Sequence, residues 1–154
     1  MDALLKKLNY KAPATVYMLH APDELQQLLD TWGTFVNLKT KTGAATVQFA
    51  LAFCTTQQQV DDTARQVNAL AEGDAVLWIC YPKGSSKRYK CDFNRDTGWE
   101  MLGQLGWEPV RQVAIDEDWS ALRFRKASFI RTMTRSFAIS SEGKAKASAA
   151  KKKS

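Results

Sequence analysis

The chain has 154 residues, 45% of them hydrophobic, and a net charge of +6. That length suits a single domain whose core needs no disulfide or metal staples. The longest apolar runs, Phe49 to Cys54 and Ala75 to Cys80, are too short to cross a bilayer, and Met1 to Lys7 shows no basic leader ahead of a long apolar stretch, so neither a membrane span nor a signal peptide is expected.

The charge is uneven. From Ser140 onward there are five lysines and one glutamate, so the tail carries +4 and the body only +2. The basic isoelectric point is therefore a property of the tail, which is too poor in apolar residues to order itself. Three cysteines, Cys54, Cys80 and Cys91, lack the paired spacing of a disulfide framework or a zinc site. They fit a reducing compartment, and a cytoplasmic location is expected.

Leu4, Leu5 and Leu8 share one side of a short amphipathic helix over 3–9, broken at Ala12-Pro13. Thr15 to Leu19 is a near-continuous apolar run, as in a strand covered on both faces. Asp23 to Trp32 predicts a helix with Leu25, Leu28, Leu29 and Trp32 inward, stopped by Gly33. Thr34 to Lys39 predicts a second strand and Thr46 to Phe53 a third. Thr56-Gln57-Gln58-Gln59 is a capping box, opening a helix with Val60, Ala64, Val67, Leu70 and Ala71 inward and Gly73 as terminator. Ala75 to Tyr81 predicts a fourth strand, Pro82 to Lys90 a polar loop, and Asp96 to Leu105 a helix. Glu108 to Ile115 and Trp119 to Lys126 are joined so tightly that they can only form an antiparallel hairpin. An amphipathic piece, Phe129 to Phe137, follows.

Strand–helix alternation with apolar strands predicts an α/β, three-layer, Rossmann-like and mainly parallel sheet. The expected order is 2-1-3-4-6-5, with a C-terminal antiparallel hairpin like the end of a class I methyltransferase. The domain would span 1–139, with its core at 12–126 and the lysine-rich tail at 140–154.

Four segments carry a resemblance. They are Leu5 to Lys11, Leu19-His20-Ala21-Pro22, Ala75 to Ser86 with its Tyr81-Pro82-Lys83 stretch, and Gln112 to Phe124 with Trp119-Ser120-Ala121-Leu122-Arg123-Phe124. Together they resemble a small bacterial family of Rossmann-like domains of unknown function. The resemblance implies the fold and no mechanism, and it stops at Lys126.

In an open parallel sheet, ligands bind beyond the carboxyl ends of the strands. The predicted strands place His20-Ala21-Pro22, Cys54-Thr55-Thr56 and Tyr81 to Ser86 there, joined by the hairpin turn Asp116 to Ser120. His20 is either a general base or anion ligand, or a loop histidine bonded at a strand end. Lys83, Ser85 and Ser86 around Gly84 could cradle an anion, although no Walker loop is present, and the same residues also suit a solvated turn. Trp119 is a stacking platform or a packing residue. Cys54 as a nucleophile would need His20 beside it, and a buried inert thiol is the simpler reading. Asp116, Glu117 and Asp118 suit a solvated turn better than a cation site. The ligand-binding candidates are thus His20, Tyr81, Lys83, Ser85, Ser86, Trp119 and Ser120, with no catalytic residue and no metal site assigned.

The turn after the first strand has no glycine, and Pro22 removes an amide. Lys39-Thr40-Lys41 replaces the acidic residue expected after the second strand. Both features count against the usual SAM, NAD and FAD sites, so no cofactor is expected. The leading expectation is a non-catalytic module that binds a small anionic ligand or a protein at a degenerate Rossmann-like edge. One alternative is an enzyme without the usual cofactor loop, using His20, Lys83 or Tyr81. The other is a nucleic-acid-associated protein, with tail lysines and Arg123, Arg125, Lys126, Arg131 and Arg135 meeting phosphates; as a bland counterpart, the tail binds any polyanion weakly.

Overall fold

The computed structural model describes residues 3–12, 14–87, 89–93 and 98–130. The tail, the piece beyond Ile130, and Asp96 and Thr97 of the predicted fourth helix lie outside the described residues. The elements in chain order are α1 (Ala3–Lys7), β1 (Val16–Leu19), a 3-10 turn (Asp23–Leu25), α2 (Gln26–Trp32), β2 (Leu38–Lys39), β3 (Val47–Phe53), α3 (Gln57–Leu70), β4 (Ala71–Pro82), α4 (Glu100–Gln104), β5 (Trp107–Ala114), β6 (Trp119–Lys126) and a 3-10 turn (Ala127–Phe129).

The strands form one six-stranded sheet in the order β2-β1-β3-β4-β6-β5, as expected from the sequence. The pairs β2–β1, β1–β3 and β3–β4 are parallel, and β6 runs antiparallel to both β4 and β5. Every residue of β1 is buried, because this strand is covered on both faces.

Alternation along the strands feeds two apolar layers. Tyr17, Leu19, Ala50, Ala52, Leu77, Ile79, Tyr81 and Phe124 pack with Val60, Ala64 and Val67 of α3 and Leu102 of α4. Val16, Met18, Phe49, Leu51, Trp78 and Cys80 pack on the other face with Leu5 and Leu8 near α1 and with Leu29 and Trp32 of α2. Trp78 keeps its polar atom satisfied there, its Nε1 donating to the Leu8 carbonyl at 2.9 Å. Each fully buried Leu, Val or Phe contributes about 1.5–3 kcal/mol of transfer free energy, so both layers are needed to hold the sheet.

The capping box forms as predicted. The Thr56 side chain accepts from the Gln59 N–H at 3.2 Å, and Gln59 Oε1 accepts from the Thr56 N–H at 3.3 Å and the Thr55 N–H at 2.7 Å. Val60, Thr63, Ala64 and Val67 make the buried face of α3 at the spacing of a helix.

Several local expectations change. The strand expected over 34–39 shrinks to two residues at one sheet edge. Gly33 stays in the right-handed helical region, and the coil continues past it. Val36 N–H bonds back to Trp32 and Thr34 Oγ1 to Thr31, so these residues spend their bonds on turns before pairing can begin. The helix expected from Asp23 starts instead as a 3-10 turn. Gly73 lies inside β4 at φ 60° rather than after a helix; the β3–β4 register shifts between Val47 and Phe49. On the far edge, β5 carries a second irregularity between Pro109 and Arg111.

Candidate functional site

The carboxyl ends of β1, β3 and β4 face one edge of the sheet. β4 ends in Tyr81-Pro82, and the described residues from Lys83 to Lys87 and from Tyr89 to Phe93 fold back as a wall. A cavity of about 870 Å³ opens between wall and sheet, lined in part by Tyr81, Lys83, Lys90, Asp92, Phe93, Gln112 and Ser120. That volume lies in the range of small-molecule sites.

The wall is tied at three places. Lys83 N–H donates to the Asp118 carbonyl at 2.8 Å, and Ser86 Oγ donates to Asp118 Oδ1 at 2.9 Å, so the hairpin turn holds its start. Asp92 Oδ1 accepts from the Gln57 N–H at 2.7 Å, at the positive end of α3, which holds its far side. In the middle, Tyr89 donates its hydroxyl to Glu24 beside the β1 turn. The turn that anchors Lys83 is itself built by Asp116, whose Oδ1 accepts from the Asp118 and Trp119 N–H groups at 2.8 and 2.9 Å. The acidic run is thus a structural turn, as the sequence suggests, and no cluster of three metal-ligating side chains occurs among the described residues.

The floor is aromatic. Tyr81, Phe93 and Trp99 form a mutual cluster with ring centroids 5.3 to 6.1 Å apart, and Trp99 meets Phe124 at 5.2 Å. Gly98 lets Gln57 and Phe93 close over it. Its φ is 92°, and a Cβ there would stand 2.8 Å from Gln57 Oε1 and 2.9 Å from Phe93 Cβ. Above the floor, Gln112 Nε2 donates to the Tyr81 hydroxyl at 3.1 Å.

The sequence-derived candidates divide. Tyr81, Lys83, Ser86 and Ser120 line the cavity. Ser85 is exposed and does not line it. His20 is exposed at the end of β1 with φ 57° and lies outside the lining. Trp119 neighbours Ser120, but strand alternation turns it to the opposite layer, where it is 2% exposed and packs on Phe53 and Tyr89 at 5.1 and 4.9 Å. It is therefore a packing residue, and a shared pocket for His20, Lys83 and Trp119 does not form. Cys54 is buried, which pushes its thiol up to about 12 and leaves it inert.

Sequence reasoning missed Gln112, Lys90, Asp92 and Phe93. Gln112 is placed by the hairpin register, which the sequence does not show. It alternates with inward Val113 in β5, and Ala114 two residues on pairs with Ser120, which puts Gln112 on the Ser120 side. The others sit in an irregular loop where periodicity carries no information.

No protein-family model matches this chain, and no curated protein matches it. Of the resemblance to the small bacterial family, the Rossmann-like fold stands. Solved structures do match. A SAM dependent methyltransferase from Aquifex aeolicus is 12% identical with a TM-score of 0.55, covering 80% of this chain and 87% of its own. The N-methyltransferase NodS from Bradyrhizobium japonicum is 11% identical with a TM-score of 0.53, covering 80% of this chain and 92% of its own. These findings overturn two expectations. The expected non-catalytic module, and the exclusion of SAM drawn from the glycine-free turn and from Lys39-Thr40-Lys41, do not stand, because the sheet this chain builds is shared with SAM-dependent enzymes. Among the described residues, no helix is long and apolar enough to cross a membrane. Taken together, the sheet order, the C-terminal hairpin and the solved structures give this chain a methyltransferase-like Rossmann fold.

Proposed function

We propose that this chain is a methyltransferase-like enzyme working at the carboxyl edge of its sheet. The observation that carries the reading is the position of the cavity: it opens over the end of β4, on the edge where sheets of this kind take their ligands.

The chemistry of the lining fits S-adenosylmethionine. Tyr81 and Phe93 offer flat faces to an adenine ring, and Lys83 and Lys90 offer ammonium groups to the amino-acid carboxylate. Asp92 offers acceptor oxygens to hydroxyls or to the ammonium group. At the β1 turn, Pro22 has no amide to give, so this reading assigns the holding to the cavity residues. Bound there, the group would supply a methyl activated by a sulfonium. The chain's own part is positioning: the Gln112–Tyr81 bond fixes the phenol of the floor, and the tied wall sets one side of the space. The Ser120 hydroxyl would orient the acceptor.

Titration of the full chain with S-adenosylhomocysteine, followed by calorimetry, tests this. Saturable binding that weakens at least tenfold in Lys83→Ala and in Phe93→Ala is expected, on the order of the 1.4 kcal/mol that a tenfold change represents. Absence of saturable binding up to millimolar ligand, or binding indifferent to both changes, would remove the reading.

A further inference from the structure

On the face of the sheet away from the cavity, Trp78, Arg123 and Arg111 stand in one row across β4, β6 and β5. Trp78 pairs with Arg123, and Arg123 pairs with Arg111. Ala121 and Trp119 of the same strand belong to the α1/α2 layer, so alternation assigns Arg123 and Arg125 to that face, opposite Ser120. Two cations directly across a ladder repel and disfavour the pairing unless something offsets them.

Asp74, the carboxylate whose charge reaches Arg123, offsets them only in part. Asp74 is taken by Arg125, whose Nε lies 2.9 and 3.0 Å from its two oxygens and whose Nη2 lies 2.6 Å from Oδ2. Glu108 stands opposite Arg125 in the register, not opposite Arg123. Arg123 is half-buried, and its Nε is closed off from solvent with no hydrogen-bond partner. The Arg111 side chain is exposed. A shielded guanidinium N–H without an acceptor is unfavourable and marks a place where an acceptor belongs.

We propose that Arg111 and Arg123 form a clamp for a phosphate group on the outer face of the β5–β6 hairpin. A guanidinium presents a planar fork that meets oxyanions with two parallel bonds. Arg125 with Asp74 shows the one-to-one match of a fork with a carboxylate. Two unmatched forks side by side call instead for an anion with more oxygens and more charge, which a phosphate supplies. The clamp and the cavity lie on opposite faces, so the clamp does not depend on the methyl-transfer reading. The phosphate arrives either on a small phosphoester or in a nucleic-acid backbone, and both meet the forks with the same oxygens.

The test uses the full chain and matched ionic strength. Inorganic phosphate and pyrophosphate are compared with chloride by thermal shift, and a short single-stranded oligonucleotide is titrated by fluorescence anisotropy. A saturable, phosphate-specific rise in Tm is expected, with apparent affinity falling at least tenfold in both Arg123→Gln and Arg111→Gln and S-adenosylhomocysteine binding unchanged. Tighter binding of the oligonucleotide with the same dependence on both arginines assigns the phosphate to a nucleic-acid backbone; tighter binding of pyrophosphate assigns it to a small phosphoester. Equal shifts in phosphate and chloride, or shifts that survive both substitutions, overturn the clamp. Should Arg123→Gln fail to fold, the exposed Arg111→Gln decides alone.

Discussion

Ser86 Oγ donates to Asp118 Oδ1 at 2.9 Å, across 32 residues of sequence, and fastens the loop after β4 to the turn of the hairpin. The same loop donates its Lys83 N–H to the Asp118 carbonyl. One turn residue thereby sets both the start of the cavity wall and the start of β6.

Removing that tether loosens the wall more than the fold. Asp118→Ala is expected to cost about 0.5–1.5 kcal/mol, the net value of one such hydrogen bond. Hydrogen exchange is the sharper readout. Amides of 83–87 should exchange faster in the variant, while amides of β3 keep wild-type protection. Equal protection in both proteins would show that the bond holds nothing.

Gly98 is expected to tolerate no side chain. Its φ of 92° and the approach of Gln57 and Phe93 leave no room for a Cβ. Gly98→Ala should destabilise the protein by about 1–3 kcal/mol, as strained backbone positions do. Thermal melting measures this, and an unchanged Tm would contradict the packing described over Trp99.

Burial holds Cys54 protonated up to about 12, against 9.0 for an ordinary thiol. Its folded-state pKa is raised, so its contribution is intact below pH 9 and declines as pH climbs toward 12. The slope for one such group is about 1.4 kcal/mol per pH unit. Cys80, fully buried, moves the same way. Urea titrations from pH 8 to pH 11 should therefore show falling stability, with a shallower fall in Cys54→Ala. At pH 8, Ellman's reagent should leave Cys54 and Cys80 unmodified until the protein unfolds.

The α3 cap makes a control away from the cavity floor. Thr56→Ala removes the acceptor for the Gln59 N–H and should cost about 1 kcal/mol in urea denaturation, with the m-value unchanged. A loss below 0.3 kcal/mol, well short of the roughly 0.5 kcal/mol lower bound for such caps, would mean that Gln59 alone satisfies this helix start.

Much of the architecture could be read directly, because strands buried on both faces and a capping box leave strong local patterns. Val16 to Leu19 and Thr56 to Gln59 are such cases. The hairpin register could not be read, since the irregularity between Pro109 and Arg111 shifts the alternation by one. The pairing of β6 with β4 decides the site. With Trp119 aligned to Pro82, Ser120 faces the cavity and Trp119 turns away, which adjacency in sequence cannot show. His20 was placed on the correct edge, but on β1, two strands from the cavity's β4 wall.

The two rims of the sheet differ from its interior in a way that bears on how copies of this protein meet. One rim is a stub of two residues, Leu38 and Lys39. The other, β5, is bent at Pro109, which has no amide to offer, and carries an exposed arginine just beyond the bend. Neither rim presents a long straight row of open amides and carbonyls, so neither is a good template for a foreign strand. Both described rims thus disfavour edge-to-edge stacking of one copy on another.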